Sequence, residues 1–138
     1  MTGIYVIIIE LDRPDVLYVG KKHRFDLQKG YYAYVGSALS GLEKRLGRHL
    51  KPTKKLHWHI DYLLNIARIR NIISTETDER KECLMAHALS QRLASKDDFG
   101  CSDCNCQSHL FFCSDQKTLE TSVFAAFKSL ELTPIIFV

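Results

Sequence analysis

Residues 31–50 read YYAYVGSALSGLEKRLGRHL, and the stretch changes character half-way. Tyr31, Tyr32, Tyr34 and Val35 are aromatic or β-branched and predict a strand, which Gly36 and Ser37 bring to an end. Ser40-Gly41-Leu42-Glu43 then reads as a capping box, with the Ser40 side chain on an early helix amide and Glu43 reaching back. At 100° per residue, Leu42, Leu46 and Leu50 form one apolar stripe of the helix that follows. Arg45 and His49, four residues apart, fall together on the edge of that stripe. A tyrosine at a strand end, a cation and an imidazole therefore converge where strand passes into helix. The plainer alternative is a βα unit whose basic edge is only solvated.

On the N-terminal side, Gly3 to Leu11 (GIYVIIIEL) is an unbroken apolar run that predicts a strand buried on both faces. Between Ile4 and Ile9 only Tyr5 carries a polar tip, and a buried phenol needs a partner. Arg13-Pro14-Asp15 is a turn, so Val16 to Val19 is expected to return as the second strand of a hairpin with the first. Phe25 and Leu27 alternate within a basic segment and allow a further short strand.

On the C-terminal side, Pro52 interrupts the chain and His57-Trp58-His59-Ile60 opens a second helix with Ile60, Leu63, Leu64 and Ala67 on one side. Arg68 to Thr75 predicts a strand, and Asp78 to about Ala94 a helix with Met85, Ala86, Leu89 and Leu93 as its stripe. Glu82 lies within that stripe. A carboxylate there either has a partner or a cation, or sits in a partly solvated first turn favoured by the helix dipole. A cysteine-rich loop, FGCSDCNCQSHLFFC, follows, with Leu110 to Cys113 as a strand. Ser114 is expected to cap a last helix to about Leu130, and Ile135 to Val138 is an apolar tail able to add a short strand.

The 138 residues suffice for one domain with its own core. No apolar run reaches membrane-spanning length and no signal peptide opens the chain, so a cytoplasmic protein is expected. The net charge of +3 conceals an asymmetry. Between Lys44 and Ile60 there are six Lys/Arg and three His and no acid, which suits a polyanion surface through Lys44, Arg48, Lys51, Lys54 and Lys55. Five cysteines, four of them in one short segment, argue against a disulfide framework.

Gly3-Ile4-Tyr5 and Tyr34-Val35-Gly36 resemble the two halves of the GIY-YIG nuclease signature, with Val35 for the usual Ile. Arg45 follows Tyr34 at the spacing of that family's helix arginine, and Glu82 matches its late metal-binding glutamate. The words HWHIDYLL, ECLMAHAL and DCNCQSHL resemble an uncharacterised prokaryotic subfamily sometimes fused to a DNA-repair glycosylase. The resemblance implies an α+β fold with a small, mainly antiparallel three-stranded central sheet flanked by helices. It makes residues 3–95 the nuclease-like core and 96–138 an extension packed on it. It implies hydrolysis of DNA phosphodiesters in repair or processing, with RNA and a repair-protein partner left open. Glu82 would hold Mg²⁺ or Mn²⁺, Arg45 the scissile phosphate, and either Tyr5 or Tyr34, or else His49, would take the proton of the attacking water. A nucleic-acid-binding module of the same fold without catalysis is the alternative.

Cys101, Cys104, Cys106 and His109 offer four soft ligands within nine residues, a set suited to zinc. Tetrahedral sites usually draw ligands from two segments, so His57, His59 or Cys113 would have to contribute. Buried reduced thiols are the competing reading.

Overall fold

The computed structural model describes residues 2–38, 41–101 and 104–138. Its elements are β1 (Gly3–Leu11), β2 (Asp15–Val19), β3 (His23–Leu27), β4 (Gly30–Ala38), α1 (Leu42–Leu50), α2 (His59–Leu64), β5 (Arg68–Glu76), α3 (Glu82–Ser90), β6 (Ala94–Ser95), β7 (Leu110–Cys113), α4 (Gln116–Ser129) and β8 (Ile135–Ile136). The α+β class with an antiparallel sheet is as expected, but the sheet is larger. Six strands run in the order β6-β7-β4-β1-β5-β8, and the second of the three expected strands, Val16–Val19, is not among them.

The apolar run of β1 is explained by its place between β4 and β5, with both faces covered. Tyr5, Ile7, Ile9 and Leu11 point to one face, where they meet Leu42 and Leu46 of α1, Ile60 and Leu63 of α2, and Phe25. Ile4, Val6 and Ile8 point to the other, against Met85 and Leu89 of α3 and Val123 and Phe127 of α4. A strand that feeds two cores has no polar face to alternate with.

The expected hairpin between β1 and β2 does not form. β2 pairs with β3 as a separate two-stranded ribbon, and β1 reaches β4 instead, with Tyr5 opposite Gly36 and Ile7 opposite Tyr34. The ribbon buries Leu17, Val19, Phe25 and Leu27 under the sheet, so Val16–Val19 contributes as a cover rather than as a neighbour.

Helix boundaries also differ. The expected Ser40 cap lies outside the described residues; α1 starts after Gly41, which has a left-handed φ of 69°. Leu50 is 38% exposed, and buried His49 takes its place beside Leu42 and Leu46. α3 is shorter than expected and makes Glu82 its first residue. The last helix is capped by Asp115, whose side chain accepts the Thr118 amide, and not by Ser114. β8 adds to β5 at the sheet edge, as the apolar tail suggests. No helix among the described residues is long and apolar enough to cross a membrane.

Candidate functional site

The first part of the site forms where β1, β4 and α1 meet. Tyr5 reaches α1 because its register partner is Gly36, over which its ring lies; a Cβ there would come within 2.4 Å of the phenol oxygen. The Tyr5 hydroxyl stands 2.8 Å from Nε2 of His49, one turn beyond Arg45 on α1. Burial pushes the Tyr5 phenol up to about 12, against the opposing pull of Arg45. Burial likewise lowers His49 to about 4, so its ring is neutral near pH 7. Nδ1 of His49 is buried without a hydrogen-bond partner among the described residues.

Arg45 donates from Nη1 to the Ser37 carbonyl at 3.1 Å, and its guanidinium lies 4.5 Å from the centre of the Trp58 ring. Its charge acts on Tyr5, Tyr34 and Glu82, so these four share one electrostatic neighbourhood. Tyr34 stands on the Tyr5 face of β4, edge-on to Phe99, and burial raises its phenol well above the ordinary value. Glu82 approaches from α3. Burial alone would raise its carboxyl, but contacts with His109 and Ser37 outweigh that and hold it below the usual range. It lines a cleft of about 450 Å³ together with Gly3, Ser37, Cys83 and Cys104.

Beside this centre lies a groove of about 720 Å³ whose wall carries Lys44, Arg45, Arg48, Lys51, Lys54 and Lys55 and no acid. The cations are not equivalent. Arg48 grips Asp61 through two bonds of 2.9 Å, and Asp61 also accepts the amides of His57 and Trp58. Burial would raise the Asp61 carboxyl, yet Arg48 and those amides hold it below the usual range. Lys54 donates to the carbonyls of His49 and Lys51 and so closes the end of α1. Lys44, Lys51 and Lys55 have exposed side chains. Thus Arg48, expected as a phosphate contact, is first a partner of a buried carboxylate.

The second part of the site is a Cys₃His group. Cys83, Cys104, Cys106 and His109 bring four ligand atoms within 4.8 Å of one another, a set that could hold a metal ion. Zn–S and Zn–N bonds of about 2.3 and 2.0 Å imply tetrahedron edges of roughly 3.3–3.8 Å. Cys83 replaces the expected Cys101, whose thiol turns to the Gln107 carbonyl at 3.7 Å. The requirement for a second segment is met from α3, not from His57, His59 or Cys113. His59 instead accepts the Gly100 amide at 2.9 Å and packs on Phe99, tying the cysteine loop to α2. Cys83 was legible only as a residue one step from Glu82 in the word ECLMAHAL; its distance of 21 residues from Cys104 concealed the pairing.

His109 joins the two parts. It is fully buried, with Nε2 3.5 Å from the Cys104 thiol and Nδ1 3.1 Å from Oε2 of Glu82. The Glu82 contact is short but not in line, and Nδ1 has no well-aligned hydrogen-bond partner among the described residues.

A family model described as a domain of unknown function, DUF123, matches residues 4–132. No curated protein and no solved structure matches the chain.

Proposed function

The chain belongs to this DUF123 family, and from its site we propose a cytoplasmic, divalent-metal-dependent endonuclease of GIY-YIG type that hydrolyses DNA phosphodiesters in repair or processing. The observation that carries the reading is the Tyr5–His49 pair at 2.8 Å, in the field of Arg45 and next to a groove lined by six cations. The signature halves support it too, since Tyr5 lies opposite Gly36.

Glu82 is the residue suited to Mg²⁺ or Mn²⁺: it is an ionised oxygen donor at an open cleft, and such ions bind through one or two carboxylates and keep several waters. The ion would stabilise the charge that develops on the phosphate and the leaving oxygen. Arg45 spends one N–H on the Ser37 carbonyl, which fixes the fork and leaves its other donors for the scissile phosphate.

Neither Tyr5 nor His49 alone matches a general base at pH 7, with values of about 12 and about 4. Together they form a relay. As the water oxygen attacks phosphorus, its proton passes to the Tyr5 oxygen while the Tyr5 proton passes to His49 Nε2. The phosphorus–oxygen bond to the leaving group breaks, that oxygen takes a proton from solvent, and His49 returns its proton through Tyr5 to solvent, which restores the pair. Tyr34, on the same face, positions the water.

The basic groove supports a polyanionic substrate held through Lys44, Lys51 and Lys55. For the Cys₃His group the reading is zinc, because three thiols and an imidazole are soft ligands that favour it over Mg²⁺. Protein purified without chelator is expected to carry one zinc, and a Cys104→Ser/Cys106→Ser variant none.

The test of the activity is a screen over branched, flapped and damaged DNAs, with RNA included, in Mg²⁺ or Mn²⁺. Cleavage is expected in the parent and lost in a folded Glu82→Gln variant that still binds DNA. Salt-sensitive binding without cleavage under any condition would instead identify a non-catalytic nucleic-acid-binding module.

A further inference from the structure

Glu82 and Cys83 are consecutive, yet they serve different chemistries: a carboxylate facing the hydrolytic centre and a thiol in the Cys₃His group. His109 touches both, with Nε2 toward the thiols and Nδ1 toward Glu82. From this juxtaposition we infer that Glu82 is the outer carboxylate of the zinc centre, orienting His109, so that one residue positions the soft-metal site and serves the hydrolytic one. The inference rests on the zinc reading above.

The chemistry follows from the imidazole. A neutral ring has one nitrogen that carries a proton and one that does not, and only the bare nitrogen can ligate. With Nε2 beside the Cys104 thiol, ligation there leaves the proton on Nδ1, which faces Glu82 Oε2 at 3.1 Å. A carboxylate at that nitrogen selects the tautomer, fixes the ring and makes Nε2 a stronger donor. Among the described residues His109 Nδ1, in a fully buried position, has no well-aligned hydrogen-bond partner, and the Glu82 oxygen at 3.1 Å is the acceptor that faces it. Glu82 supplies the contact from α3, the same helix that brings Cys83. The helix therefore delivers a ligand and the orienter of a second ligand side by side. The coupling also runs outward: Glu82 also contacts Ser37, whose carbonyl holds Arg45. Closing the soft site would settle the carboxylate at the edge of the nuclease cleft.

The inference is tested on zinc affinity, which needs no nuclease activity. The full chain and its Glu82→Ala and Glu82→Gln variants are titrated against a competing zinc chelator. Loss of an orienting carboxylate weakens metal binding by about 10–100-fold, so Glu82→Ala is expected to fall in that range. Glu82→Gln keeps an oxygen that accepts the Nδ1 proton, and most of the affinity is expected to return. In parallel, the His109 imidazole is followed by nitrogen-15 NMR in the zinc-loaded protein. It should show a protected Nδ1 proton in the parent and Glu82→Gln, and an exchanging one in Glu82→Ala. A zinc affinity in Glu82→Ala within twofold of the parent would overturn the inference while leaving the zinc reading intact. A parent that binds no zinc would overturn both, and the two failures are told apart by the parent alone.

Discussion

The ring of Tyr5 lies across Gly36, its partner on β4, so closely that a Cβ at position 36 would stand 2.4 Å from the phenol oxygen. The tyrosine is fully buried between sheet and α1. Gly36 lies inside β4 rather than at the strand end expected for it, and it is a condition for the Tyr5–His49 contact.

Gly36→Ala is accordingly expected to force Tyr5 off His49 and to destabilise the fold by about 1–3 kcal/mol, the usual cost of overpacking a core. Thermal melting measures the loss. A variant as stable as the parent, with its phenol still against His49, would contradict the close approach.

Tyr5→Phe removes the hydroxyl and leaves both nitrogens of buried His49 without a partner among the described residues. About 1–3 kcal/mol of stability is expected to go with it. Under the proposed relay, single-turnover cleavage should drop by about 10²–10⁴, with DNA affinity unchanged. Undiminished cleavage by the folded variant would exclude Tyr5 from the proton path.

Stability is expected to depend on pH through His49. Its folded value, about 4, lies below the ordinary 6.5, because burial opposes the charged ring. The unfolded chain therefore binds the extra proton first, so the stabilisation is complete above pH 6.5 and declines as pH falls toward 4. Up to about 3 kcal/mol is at stake across that window. Urea midpoints between pH 7 and 4 should show the decline, and a folded His49→Gln variant should lack most of it.

Arg48 and Lys55 line the same groove but should answer differently to alanine. Arg48→Ala strands the buried Asp61 carboxylate and is expected to cost about 3 kcal/mol, moderated by the two amides Asp61 still accepts. Lys55→Ala, at an exposed side chain, should leave melting within about 0.5 kcal/mol and flatten the log–log salt dependence of DNA binding by about one. Equal stability losses in the two variants would refute the division between gripping and reaching cations.

Local pattern carried a large part of this protein. The β-branched run at Ile4–Ile9, the tyrosine-rich strand before Gly36, the period of Leu42 and Leu46, and the residues Tyr5, Arg45, His49 and Glu82 are all legible because each depends on neighbours in sequence. Pairing across the chain was not. Whether β1 turned back on β2 or waited for β4 and β5 depended on placing it mid-sheet, where helices cover both its faces, and the turn at Pro14 carries no information about that. The burial of His49 in place of Leu50 was decided by the approach of Tyr5, a contact over forty-four residues. In the same way the soft site took Cys83 and not Cys101, because α3 packs beside the loop and supplies a thiol that no spacing within the loop can announce. Sequence alone determined which side chains this chain carries and where most of its elements lie; only long-range packing decided which residues meet, since that choice is settled by what the whole core must bury.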